Sequence, residues 1–130
     1  RQWGRILIVT STGIVEPIPE LGISNTLRVS LANWAKTLSF EIASDNVTIN
    51  MLMPGRIGTE RLEQFYKITA ERTGKLHDEV KANVASEIPM GRVGRVEEFA
   101  SLAAFLAGQN AGYITGTVTA IDGGLTRRSL

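Results

Sequence analysis

The chain has 130 residues, 43% of them hydrophobic and 21% charged, which suits one soluble globular domain with a single core. Its 14 Lys and Arg against 13 Asp and Glu leave a net charge of +1, so neither nucleic acid nor an anionic membrane is expected as a partner. Cysteine is absent and His77 is the lone histidine, which excludes disulfides, thiolate nucleophiles and His-rich metal centres, and no apolar run reaches the roughly 18 residues that a bilayer span needs.

The opening "RQWGRILIVTSTG" holds a continuous apolar run, Ile6 to Val9, ended by a polar turn. Such a run predicts a strand buried on both faces, as in a parallel sheet, with neighbours on both sides. No charged-then-apolar leader precedes it, and the chain reads as beginning in mid-fold. "STGIVEPIPELG" follows, with its prolines and glycines, as loop. Across 24–44, Leu27, Leu31, Ala35, Leu38 and Ile42 recur at helical spacing and predict an amphipathic helix. Val29, Trp34 and Phe40 lie off that stripe and point to a second contact, with another helix or another subunit.

Val47 to Met53 predict a second strand, stopped by Pro54-Gly55, so that strand, helix and strand form a parallel crossover unit. The stretch 60–86 is strongly charged, with helical spacing at Leu62, Phe65, Tyr66 and Ile68 and a break at "TGK". It reads as a mobile helical excursion from the domain 1–130. "GRVEEFASLAAFLAG" is the plainest helix: Glu97 and Glu98 suit its dipole, and Phe99, Leu102, Ala103 and Leu106 make its buried stripe. Gly108 is expected to close it in the left-handed conformation. A third strand is expected at about Thr117 to Ile121. The fold class is therefore α/β, with three strands and crossover helices. Ligands of such sheets bind beyond the carboxyl ends of the strands. Here those ends carry "TST" at 10–12, "PGRIGT" at 54–59 and "DGG" at 122–124.

Over "VTINMLMPGRIGT" and "IPMGRVGRVEEFASLAAFLAGQNAGYITGTVTAIDGG" the sequence resembles the short-chain dehydrogenase/reductase family. Its "P-x-G-R-x-G" turn, Glu-Glu helix start, "FLA", "Y-I-T-G" and closing "D-G-G" carry the likeness, which runs from Gly4 to about Leu125. The resemblance implies the C-terminal half of a Rossmann-like doubly wound sheet, with NAD or NADP as cofactor and a small carbonyl or alcohol as substrate. It also implies a homodimer or homotetramer, and a cytoplasmic location as the default. The family's Gly-rich phosphate turn has no counterpart here, so this chain alone is not expected to hold a dinucleotide tightly.

Family chemistry uses a Ser and a Tyr-x-x-x-Lys. By the resemblance Ser11 takes the serine position, Ser24 the tyrosine position and Arg28 the lysine position. The spacing is kept and the acid is not. A phenol with a pKa near 10 can donate a proton once a cation stabilises its anion, whereas a serine hydroxyl is less acidic and much shorter. Arg28 stays cationic and cannot exchange protons, but its planar fork can grip hydroxyls, a phosphate or a carboxylate. Ser24 reads first as a helix N-terminal residue, whereas for Ser11, which ends a strand at the ligand face, a turn hydroxyl that satisfies the loop backbone is the alternative. A cation near a helix N-terminus is mildly unfavourable, which hints at an anionic partner for Arg28.

Pro54, Gly55, Ile57 and Thr59 resemble the segment that grips the nicotinamide carboxamide, although Thr59 also reads as an N-cap. His77 reads as a solvent-facing helical residue, with a stand-in acid as its other reading. Asp122-Gly123-Gly124 reads as a structural turn. No metal site is expected. The expected function is an NAD(P)-dependent oxidoreductase with an atypical or impaired motif. The alternatives are an inactive nucleotide-binding or scaffolding relative, or an isolated fragment without activity.

Overall fold

The computed structural model describes residues 2–128. Strand β1 (Gly4–Val9) leads through a 3-10 turn at Thr12–Ile14 to helix α1 (Gly22–Ile42), a further turn at Ala43–Asp45 and strand β2 (Val47–Pro54). Helices α2 (Glu60–Thr73), α3 (His77–Ser86) and α4 (Val96–Ala107) follow, then a turn at Gln109–Ala111 and strand β3 (Val118–Ile121). The three strands are all parallel in the order β1-β2-β3, with Ile6 opposite Ile49, Ile8 opposite Met51 and Met51 opposite Val118.

Alternation along β2 sorts its side chains to two faces. Ile49 and Met51 pack with Ala35 of α1, together with Ala32, Leu38 and Ile42, on one face. Leu52 packs with Leu106 of α4 and with Ala111 on the other. Helices therefore cover both faces, and residues 48–53 are buried throughout. The α/β parallel sheet expected from the sequence is the one observed.

Three local expectations are corrected. Strand β1 starts at Gly4, and Ile6 and Val9 are exposed, because among the described residues β1 pairs with β2 alone. In α1 the expected stripe holds at Ala35, Leu38 and Ile42 and fails at its first two residues. Leu27 is 64% exposed and Leu31 also faces out, while Ala32, Ala35, Ser39 and Ile42 turn inward. Ala32, Ala35 and Ser39 on that face let the helix sit close to the sheet, with Leu38 and Ile42 packing beside them. Gly108 is extended at φ −83 and ψ 174, since the chain runs on into the turn at Gln109–Ala111 rather than reversing. Left-handed closure occurs instead at Gly74, φ +68, where "TGK" ends α2.

Helices α2 and α3 form a hairpin over 60–86 with a small core of its own, made by Leu62, Tyr66, Val80 and Val84. Phe65 and Ile68, two of the four residues that set its expected spacing, are exposed.

A buried polar network fixes the junction between β2 and β3. Asn50 is fully buried; its Nδ2 donates to Ile114 O at 2.8 Å, and its Oδ1 accepts from Thr117 Oγ1 at 2.8 Å and Thr117 N at 3.2 Å. Removing the amide strands these partners away from water. Asn50→Ala is expected to lower stability by about 2–3 kcal/mol in urea denaturation. A loss below about 0.5 kcal/mol would show that the network is dispensable.

Candidate active site

The parallel strands bring three chain segments to one edge of the sheet. Thr10 makes the last rung of β1, its N–H donating to Leu52 O at 2.8 Å and its Oγ1 to the same oxygen at 3.1 Å. Ser11 then caps the 3-10 turn, its Oγ accepting from Gly13 N at 3.2 Å. The turn reading of Ser11 is thus the contact observed.

Ser24 is the third residue of α1 rather than its cap. The helix starts at Gly22 behind Leu21, which makes no side-chain cap bond. Ser24 Oγ instead accepts from Arg28 Nε at 3.2 Å. Arg28 Nη1 reaches the end of β1, donating to Thr10 O at 3.0 Å and to Val9 O at 3.4 Å. The structure therefore joins Ser24, Arg28 and the strand end that Ser11 follows. It also supplies the counter-dipole that a cation this early in a helix needs: two backbone carbonyls, not an acid.

The second segment leaves β2 at Pro54. Gly55 N donates to Ile121 O at 3.0 Å, and a Cβ at Gly55 would stand 2.6 Å from Asp122 Cβ and 2.7 Å from Asp122 Cα, so only glycine fits. Beyond it Ile57 and Gly94 form an isolated parallel bridge, with Gly58 N donating to Gly94 O and Gly94 N to Arg56 O, both at 2.9 Å. That ladder leaves the Ile57 N–H out. Thr59 caps α2, its Oγ1 accepting from Leu62 N at 3.4 Å, and its hydroxyl proton remains for another acceptor. The N-cap reading of Thr59 is the one seen, and Arg56 stacks over Phe65 at 5.2 Å.

The third segment is the turn after β3. Asp122 accepts from Gly124 N, Thr126 N and Thr126 Oγ1 at 2.6 to 2.9 Å. Partial burial works against its charge, but these bonds outweigh it and hold the carboxyl below its usual range. The structural-turn reading accounts for all of these contacts.

His77 is not simply solvent-facing. At the start of α3 its side chain is 35% exposed, its Nε2 lies 2.7 Å from Glu63 Oε1 outside good hydrogen-bond angles, and its ring meets Tyr66 edge-on at 5.9 Å. Tyr66 lies one helical turn from Leu62 and shares its buried cluster. It is 2% exposed and its hydroxyl has no partner among the described residues. Burial and the nearby Glu63 carboxylate push its phenol up, against Arg56, so it is a poorer proton donor than a free tyrosine. It borders a cavity of about 330 Å³ with Thr59, Glu63, Lys81 and Val93. Tyr113 is fully exposed. Among the described residues no cluster of His, Asp and Glu is placed to hold a metal.

A family model described as Enoyl-(Acyl carrier protein) reductase matches residues 1–126. The chain belongs to the short-chain dehydrogenase/reductase family. The NADPH-dependent reductase BacG of Bacillus subtilis (strain 168) is 37% identical over 123 residues, covering 95% of this chain and 48% of that protein. The crystal structure of YwfH, an NADPH dependent reductase involved in bacilysin biosynthesis, superposes with a TM-score of 0.92 at 36% identity, over 98% of this chain and 49% of that one. An NADPH-bound short chain oxidoreductase from Pseudomonas aeruginosa PAO1 containing an atypical catalytic center superposes with a TM-score of 0.81 at 25% identity, over 98% of this chain and 48% of that one. The chain spans about half the length of the curated relatives it matches.

As a short-chain dehydrogenase/reductase, the chain uses its "P-x-G-R-x-G" turn to brace the strap carrying Ile57 and Thr59. Glu98 accepts from Arg92 Nη1 at 2.9 Å and Arg92 Nη2 at 2.7 Å, and from Arg95 N at 2.7 Å. The Arg92 hydrogen bonds, aided by the Arg95 amide, pull its carboxyl to about 2 from 4.5. A lowered folded pKa means that this stabilisation is complete above about 4.5 and is lost as pH falls toward about 2. Glu98→Gln is therefore expected to melt below wild type at neutral pH and to converge on it near pH 2 in thermal scans. A gap that persists unchanged to the acid end would contradict this assignment.

Proposed function

We propose that this chain is the C-terminal half of an NADPH-dependent reductase of small carbonyl compounds that works without a tyrosine acid. The observation that carries the reading is the Arg28 fork, which ties Ser24 to the carbonyl end of β1 where the resemblance puts acid and helper. NADPH dependence is said of BacG and YwfH, and an atypical catalytic center of the Pseudomonas protein, which makes such a site reasonable in this family.

The Ile57 N–H, without a partner among the described residues, and the Thr59 hydroxyl suit a carboxamide at the end of the Pro54–Gly55 turn, so the residues present fit the nicotinamide end of the cofactor. The phosphate cradle is not among them. When bound, the reduced nicotinamide supplies the hydride. Arg28 polarises the substrate oxygen or anchors an anionic group beside it, with Ser11 and Ser24 as hydroxyl donors. Because Arg28 keeps its proton and serine gives none up, water supplies the proton to the alkoxide.

Association through α1 is part of the proposal. Ile23, Leu27 and Trp34 are exposed at helical spacing, with Phe40 nearby, and a homodimer or homotetramer would cover them. Among the described residues no helix is long and apolar enough to cross a membrane. A cytoplasmic location is part of this proposal.

One observation favours a second reading, a cofactor-binding protein without turnover: Ser11 Oγ and Arg28 are both engaged in internal hydrogen bonds. Steady-state reduction of a carbonyl panel by the full-length protein separates the two. Arg28→Ala is expected to lower kcat/KM by roughly 10- to 100-fold. Full activity and unchanged cofactor affinity in that variant would remove Arg28 from the site. Turnover that appears only after Ser24→Tyr with Arg28→Lys would support the second reading.

A further inference from the structure

Asn25 lies between Ser24 and Arg28 on the first turns of α1, and its amide is used at both ends. Its Nδ2 donates to Ile18 O at 2.9 Å, and its main-chain N–H donates to Leu21 O at 2.8 Å. Its Oδ1 rests on Gly13. A Cβ added there would stand 2.6 Å from that oxygen, while Ile18 Cδ1 and Ser11 Oγ would stay at an ordinary 3.5 Å. Gly13 is buried and is not among the glycines with positive φ, so space rather than backbone freedom demands glycine. Gly13 N in turn donates to Ser11 Oγ at 3.2 Å. Contacts therefore run from Asn25 through Gly13 to Ser11. They cross a junction where the helix cap, Leu21, has no side-chain bond of its own.

We infer that Asn25 is a positioning residue: it sets the Ser11 turn against Ser24 and Arg28, and Gly13 stays small to admit it. The inference rests on the reading of this edge as a reductase site. Neither Asn25 nor Gly13 need touch substrate. What they fix is the separation between a hydroxyl on the loop and a cation on the helix, and small displacements at a reacting centre are costly.

The test is a double-substitution cycle in the full-length protein with Gly13→Ala, Asn25→Ala and both together, reading kcat, KM, NADPH affinity and amide exchange over residues 12–21. Gly13→Ala is expected to lower kcat roughly tenfold or more, with KM and NADPH affinity within about twofold. Once Asn25 is alanine, the added methyl has room, and Gly13→Ala should cost less than about twofold in kcat. Equal losses in both backgrounds would overturn the inference. Asn25→Leu covers the case in which Gly13→Ala does not fold, because it nearly keeps the side-chain shape and removes the donor to Ile18 without adding a charge. Asn25→Asp, which removes the donor and adds a carboxylate, is judged by the same criterion. A wild-type kcat in either variant would likewise overturn the inference. If the wild-type protein reduces no carbonyl, the reductase reading fails separately, and exchange decides the clamp. Faster exchange across the 12–21 turn in Asn25→Ala supports it, and unchanged exchange contradicts it.

Discussion

Strand β2 has a parallel neighbour along each side and helices over each face, so its backbone and side chains are committed before anything else in the chain is placed. An apolar run with no polar face can be stable only in such a sandwich. Asn50, fully buried in its middle, is tolerated because Ile114 and Thr117 satisfy its amide. Parallel pairing then has a geometric consequence. All three strands end on the same side, and the segments after Val9, Pro54 and Ile121 converge there.

At that edge the chemistry is that of a fixed cation. Arg28 is held by Ser24 Oγ and by two carbonyl oxygens of the strand end, contacts that a flexible ammonium would satisfy less fully than a planar fork. In the proposed reductase, this arrangement exchanges proton donation for orientation and charge. Tyr66 does not compensate: its hydroxyl is buried inside the α2–α3 hairpin and its acidity is lowered rather than raised. Asn25 and Gly13, on the other side of Ser11, belong to the same economy of short contacts around one loop.

The existence of each element was legible because period and punctuation agreed: the run at Val47 to Met53, the Glu-Glu start of α4, the Pro54-Gly55 stop. The first half of α1 was not, because Leu27 and Leu31 are more hydrophobic than Ala32 and Ser39, yet it is the small residues that turn inward beside Ala35, Leu38 and Ile42. The exposure of β1 was hidden for a different reason: an apolar run reports the surroundings it suits, not the neighbours that are present. At the site, the spacing of Ser24 and Arg28 was readable, and so was the cap at Thr59. The partners of Arg28 were not, since they are backbone carbonyls, which every sequence has. Asn25 was invisible for the same reason, its contacts being a carbonyl and the empty side of a glycine.

The central claim is that a serine and an arginine, without a tyrosine, support hydride transfer to a carbonyl. Rapid mixing of the NADPH-loaded full-length protein with a carbonyl panel, followed by nicotinamide absorbance in a single turnover, tests it most directly. The account expects loss of reduced nicotinamide in proportion to enzyme, dependent on the carbonyl added. Bound NADPH that stays reduced with every member of the panel would contradict it.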